Sequence, residues 1–121
     1  MAVIVGVDIR TLSVRVTLFG SERGKPGSAT AESPLDRKRD CPDYGMQPHA
    51  DQMSAMAKSV TEPLRLADVD GSEMVDMALD TAGSSVVAVD EQLQPLDEYY
   101  VWCDHRAHNE ALRITTKAPA L

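Results

Sequence analysis

The chain has 121 residues, with 12 Lys+Arg against 19 Asp+Glu and a formal net charge of -7. That length bounds it to one small domain or to a portion of a larger one. The acidic balance excludes broad, charge-driven binding to nucleic acid or to an anionic membrane, while a local phosphate site stays open because backbone N–H groups bind phosphate without net positive charge.

Val, Leu, Ile and Phe make up about a fifth of the residues, near the level at which chains cease to fold, so the expected core is thin. Cys41 and Cys103 stand far apart with no CxxC. They make neither a disulfide framework nor a zinc cluster, and a reducing, cytoplasmic setting is expected. The opening run MAVIVGVDI has no basic residue before it and ends at Asp8. It is read as neither a signal peptide nor a membrane span.

Residues 2–7 are a short run rich in Val and Ile, the pattern of a buried strand. Residues 8–12 break it with a polar stretch of turn length. Residues 13–19 then alternate, with Val14, Val16 and Leu18 on one face and Arg15, Thr17 and Phe19 on the other. That is a second strand, joined so tightly to the first that the two should pair as an antiparallel hairpin. A turn at 20–24 leads to a weak third strand at 27–32, which completes a meander.

Residues 33–50 hold three prolines and the run Asp36-Arg37-Lys38-Arg39-Asp40, and they read as a solvated loop. Met53, Met56, Val60, Leu64 and Ala67 recur at helical spacing. They predict a helix over about 51–67, with Asp51 as N-cap and a kink or early end at Pro63. Asp68-Val69-Asp70-Gly71 lacks the further ligands of a calcium loop and reads as a turn. Strands are expected at 74–79, 85–89 and 99–102. A second helix should open at Asp104 or His105 and run to about 116, with Ala107, Ala111 and Ile114 as its apolar side. This order predicts an α/β or α+β packing of sheet on helix.

Three places can carry chemistry. The turn from Asp8 to Ser13 places a carboxylate beside Thr and Ser hydroxyls, donors that suit a phosphate, with Asp8 able to hold Mg²⁺ through water. In Leu79-Asp80-Thr81-Ala82-Gly83-Ser84-Ser85, small residues follow a buried strand and let a ligand approach the backbone. Trp102-Cys103-Asp104-His105-Arg106 sets the single Trp of the chain beside an acid, an imidazole and a guanidinium, a combination that suits a sugar. Each also has a plain structural reading, as turn, hairpin and helix cap. Cys103, His105 and His108 can be drawn as a zinc set, but a fourth ligand at suitable spacing is lacking.

Taken together and in order, these segments resemble the FGGY carbohydrate kinases, and within them the ribulokinase-like branch. GVDIRTLSVRV is similar to the family's first phosphate motif, and CPDYGMQPHADQMSAMAKSV to the segment introducing its first helix. LDTAGSSVVAVDEQLQPL resembles the stretch before the sugar site, and VWCDHRAHNEALRIT the WxDxR-type stretch after it. The resemblance implies an actin-like, ribonuclease-H-like N-terminal subdomain: a three-strand antiparallel meander, then a helix and further strands, incomplete at its C-terminal end. It implies ATP-dependent phosphorylation of a pentulose, with ATP and Mg²⁺ as cofactors, no nucleic acid or membrane partner, and a cytoplasmic location. It places Asp8, Thr11, Ser13 and Arg15 at the nucleotide phosphates, Asp8 reaching Mg²⁺ indirectly, so that no residue ligates metal directly. It places Ala82, Gly83, Trp102, Asp104 and His105 at the sugar.

The expected segments are a phosphate hairpin at 6–19, the first helix, and sugar-site segments at 79–85 and 101–108. The general-base Asp and the nucleotide-binding C-terminal domain of the same protein are expected beyond residue 121, so no catalytic residue is assigned here. The isolated chain is expected to be inactive. The alternative is a degenerate, non-catalytic remnant that binds a ligand or a partner. The sequence departs from the family pattern at Arg10, where Gly is usual, at Gly20 in place of an acid, at Cys103 in place of Lys, and at Pro63.

Overall fold

The computed structural model describes residues 2–22 and 24–118. Strands β1 (Val3–Ile9), β2 (Ser13–Gly20) and β3 (Gly24–Glu32) form the expected meander. After it come β4 (Asp36–Lys38), β5 (Cys41–Gln47), α1 (His49–Leu66), β6 (Met74–Thr81), β7 (Tyr99–Tyr100) and α2 (His108–Lys117). The main sheet has the order β3-β2-β1-β6, antiparallel except for the parallel pair β1 and β6. A second sheet has the order β4-β5-β7.

Alternation in β1 and β2 drives the core. Val3, Val5 and Val7 face the same side as Val14, Val16 and Leu18, and all six are buried. Ala55 of α1 and Val69 close over them, with Met56, Val60, Leu64 and Ala67 packed at the margin. Each such aliphatic side chain contributes about 1.5–3 kcal/mol by leaving water. The fully buried line of α1 is Ala55, Ser59 and Pro63, small residues that let the helix lie close to β2 and β3. Ser59 satisfies its hydroxyl by donating to Val14 O at 2.9 Å.

Several expectations are corrected. The segment 33–50 is not a loop: β4 and β5 lie within it, and Gly45, Met46 and Gln47 are buried. Polar content and Pro42 conceal this hairpin, because its pairing depends on a partner strand half the chain away. The segment 85–89 is not a strand. It makes only isolated bridges, Val86 with Tyr100 and Val89 with Pro95. Pro48, not Asp51, occupies the N-cap of α1, and Asp51 lies in the first turn, where it favours the positive helix end.

The helix also runs through Pro63 to Leu66. Pro63 falls in the last turn, so little of the ladder is lost, and its ring is buried against Gly27. A Cβ on Gly27 would come within 3.1 Å of Pro63 O. The second helix starts at His108, so Asp104 does not cap it, and none of its residues is buried. Its expected apolar side, Ala107, Ala111 and Ile114, is exposed, as is Leu112. No helix among those residues is long and apolar enough to cross a membrane.

Candidate functional site

Parallel β1 and β6 end side by side, and ligands of α/β sheets commonly sit outside such carboxyl ends. Asp8 and Asp80 are register partners there, and Arg15 of β2 lies directly opposite Asp8. All three line an open hollow of about 370 Å³ on the face away from α1, together with Thr17, Phe19 and Gly6. Gly6 leaves room for the Phe19 ring, whose Cε2 would lie 3.1 Å from a Cβ at that position. One Asp8 carboxylate oxygen accepts a 2.7 Å bond from Arg10 Nε.

The turn after β1 is closed by Arg10 N donating to Ser13 O at 2.8 Å. Thr11 and Ser13 sit half-buried in it. Trp102 Nε1 donates to Thr11 Oγ1 at 2.9 Å, which leaves the Thr hydroxyl proton available to an acceptor. Ala82 N donates to Ile9 O at 2.8 Å, so the stretch after β6 is laced to the end of β1. On the α1 side this corner opens into a cavity of about 300 Å³, lined by Thr11, Ala82, Met53, Met56, Val86 and Tyr99 among others. Met53 and Met56 of α1 form part of this cavity's wall, and Met56 also packs against the core.

Gln47 holds the corner together from within. Its side chain is buried, and Nε2 lies 2.9 Å from Thr11 O and 2.8 Å from Ser33 O. Its Oε1 accepts from Gln52 Nε2 at 3.1 Å. One amide thus ties the phosphate-type turn, the end of β3 and the first turn of α1. Beside it, His49 Nδ1 is hydrogen-bonded to the Tyr99 hydroxyl, and burial raises the pKa of that phenol.

Asp104 and His105 lie elsewhere. The Asp104 carboxylate accepts from Gly45 N at 3.0 Å and from Arg106 Nη2 at 2.6 Å, and its side chain is only 7% exposed. The Arg106 guanidinium holds the Asp104 carboxyl down to about 2. The same guanidinium lies over the Tyr44 ring at 4.4 Å. His105 is exposed, and its backbone N–H donates to Asp43 O at 2.9 Å. Cys103 is buried and accepts from Arg37 Nη2 at 3.2 Å. Gly83 is exposed, and Ser84 beside it turns the chain with φ of 60°.

The N-terminal domain profile of the FGGY family of carbohydrate kinases matches residues 3–119. The chain belongs to the FGGY family of carbohydrate kinases. It is 26% identical over 126 residues to ribulokinase 2 of Staphylococcus saprophyticus, covering 88% of this chain and 23% of that protein. Its fold matches a xylulose kinase from Brucella ovis with a TM-score of 0.85 at 19% identity, over 94% of this chain and 24% of that one. It matches a gluconate kinase from Lactobacillus acidophilus with a TM-score of 0.83 at 14% identity, over 96% and 23%. The chain thus spans about a quarter of the length of these relatives. Its fold is the actin-like, ribonuclease-H-like N-terminal subdomain of that family.

In this FGGY chain Thr11, Ala82 and Trp102 meet at the end of β1, with Thr11 and Ala82 lining the cavity on the α1 side, whereas Asp8 and Arg15 line the hollow on the opposite face. Asp104 and His105 lie apart from it, against β5, with Asp104 committed to backbone and guanidinium. Two residues near this corner were given no role beside the phosphate turn by the sequence. Asp80 is the penultimate residue of β6, in register with Asp8, the penultimate residue of β1. Gln47 had no local signal, because two of its partners, Thr11 and Ser33, come from other segments.

Magnesium is the metal this family implies. It keeps most of its waters and takes one or two carboxylates plus substrate phosphates. The pair Asp8 and Asp80 on one open face fits that mode. Among the described residues no cluster of three His, Cys, Asp or Glu side chains forms a protein-only cage.

Proposed function

We propose that this chain is the leading part of an ATP-dependent kinase that phosphorylates a hydroxyl of a pentulose of the ribulose type. One observation carries the reading: the Trp102 indole is bonded to the Thr11 hydroxyl. The residue proposed for the sugar wall thereby touches the residue proposed for the phosphate turn. Donor and acceptor of a phosphoryl group would be gathered in one corner, and positioning with electrostatic stabilisation is most of phosphoryl-transfer catalysis.

In this reading Asp8, with Asp80, holds the magnesium shell, and the metal supplies charge neutralisation of the transferring phosphate. Thr11 and Ser13 donate hydroxyl protons to phosphate oxygens. Arg15, on the same face as Asp8, adds a fixed positive charge. Ala82 and Gly83 offer close backbone approach to the sugar, Trp102 gives it an apolar wall, and Asp104 and His105 stand behind that wall. The ribulose class is supported by the ribulokinase relative. The general base and the nucleotide-binding domain are assigned to sequence beyond residue 121, and the 121-residue chain alone does not turn over.

The test is ADP release by the complete reading frame with MgATP and a panel of pentuloses. Ribulose is expected to be the best substrate, and no turnover with any pentulose overturns the reading. The contact of Arg10 with Asp8 favours a second reading, a non-catalytic remnant that still binds a ligand. Calorimetry of the complete protein with MgATP and ribulose separates the two: binding without turnover supports the remnant.

A further inference from the structure

We infer that Arg10 is a tethered counter-ion for Asp8 that competes with a divalent cation for that carboxylate. The inference rests on the reading of Asp8 as the metal-facing residue of the proposed kinase site.

Three observations carry it. First, Arg10 Nε lies 2.7 Å from an Asp8 carboxylate oxygen, two residues back along the chain. Second, the turn accepts this side chain without backbone strain. The non-glycine residues with left-handed φ among the described residues are Asp68, Ser84 and Leu93, and Arg10 is not one of them. The bond from Arg10 N to Ser13 O fixes its backbone at the mouth of the hairpin. Third, the charges at this corner cancel. Asp8 and Asp80 supply two negative charges, and Arg15 opposite Asp8 and Arg10 beside it supply two positive ones.

A guanidinium is always charged and offers several donors in a rigid fork, so it holds a carboxylate at any ordinary pH. Mg²⁺ reaches a carboxylate only at the cost of its own water shell, or through it. A resident cation therefore lowers what Asp8 has to offer a metal. The side chains of Arg10 and Asp8 are 52% and 35% exposed, so the pair is screened by water and the competition is modest and reversible. Arg10 weakens the metal site without closing it.

The test uses Mn²⁺ alone as probe, its free fraction read by electron paramagnetic resonance in titrations of the 121-residue chain. Arg10→Gly is expected to bind Mn²⁺ about two- to fivefold tighter than the unaltered chain, the factor a surface ion pair withholds. Arg10→Lys keeps a cation in place and should fall nearer the unaltered chain. Adding Asp8→Asn to Arg10→Gly should erase the gain. Equal affinities for the unaltered and Arg10→Gly chains overturn the inference. So does a gain that survives Asp8→Asn, or no Mn²⁺ binding by any of the chains. Circular dichroism checks the fold, and Arg10→Gln replaces the glycine variant if that chain loses its helical signal. Because the metal is the only probe, absence of sugar phosphorylation by the complete frame leaves this result standing, and equal metal affinities leave the kinase reading standing.

Discussion

Trp102 and Thr11 stand 91 positions apart in sequence and are joined by one hydrogen bond of 2.9 Å, indole N–H to hydroxyl oxygen. Thr11 belongs to the turn between the first two strands, and Trp102 follows the last short strand. Their contact makes one corner of two segments that are unremarkable separately.

Trp102 is 55% exposed, so its contribution to folding is small and its contact with Thr11 is the part that matters. Trp102→Phe keeps the apolar ring and removes the N–H donor. Stability should change by no more than about 0.5 kcal/mol in urea unfolding. In the complete reading frame the same change should lower kcat/KM for the sugar by up to about tenfold, the worth of one hydrogen bond. A large loss of stability with unchanged kcat/KM would contradict the assignment.

Gln47→Leu removes the buried amide that serves Thr11 O, Ser33 O and Gln52. Carbonyls left buried without donors make this costly, about 2–3 kcal/mol by urea unfolding. Gln47→Glu fills the same volume but supplies no donor when ionised, so it should fail to restore stability at neutral pH.

Asp104 titrates at about 2 in the folded chain, against the ordinary 3.8, chiefly because Arg106 donates to its carboxylate. The folded value is the lower one, so the stabilisation is fully present above about pH 4 and is lost as pH falls toward 2. Thermal unfolding of the unaltered chain should weaken across that window. Asp104→Asn should cost about 1–2 kcal/mol at neutral pH, with allowance for the solvent that reaches Arg106, and its melting curve should lack this acid component.

Gly27→Ala tests the seat of α1. A Cβ there would lie 3.1 Å from Pro63 O and 3.3 Å from Pro63 Cβ, so helix and strand must part by a few tenths of an ångström. About 1–3 kcal/mol of stability should be lost. Pro63→Ala keeps the backbone oxygen and Cβ that crowd the new methyl, so pairing the two changes should recover little of the loss, and their costs should add in a double-mutant cycle.

The meander was legible in sequence because period-two alternation in residues 13–19 permits only one face of Val14, Val16 and Leu18 to be buried. The place of α1 was legible for the same kind of reason, an apolar stripe at helical period. Its bounds and its buried line were not. The stripe marks residues that are apolar, whereas contact with β2 and β3 selects residues that are small, namely Ala55, Ser59 and Pro63. The hairpin of β4 and β5 escaped notice because its polar residues are ordered by β7, which no local pattern connects to it.

The candidate site divides along the same line. By itself the sequence determined that a short strand leads to Asp8, that hydroxyls follow within one turn, and that these motifs stand in the order of the FGGY kinases. Those features are local, and local sterics and hydrogen bonding enforce them. Only the tertiary structure decided that Asp80 lies in register with Asp8, that Gln47 anchors the Thr11 turn, that Arg10 folds back onto Asp8, and that Asp104 serves Gly45 and Arg106. Strand register and the seat of the helix set most of these partnerships. Both are decided by which surfaces bury the most apolar area together, a property of the whole chain.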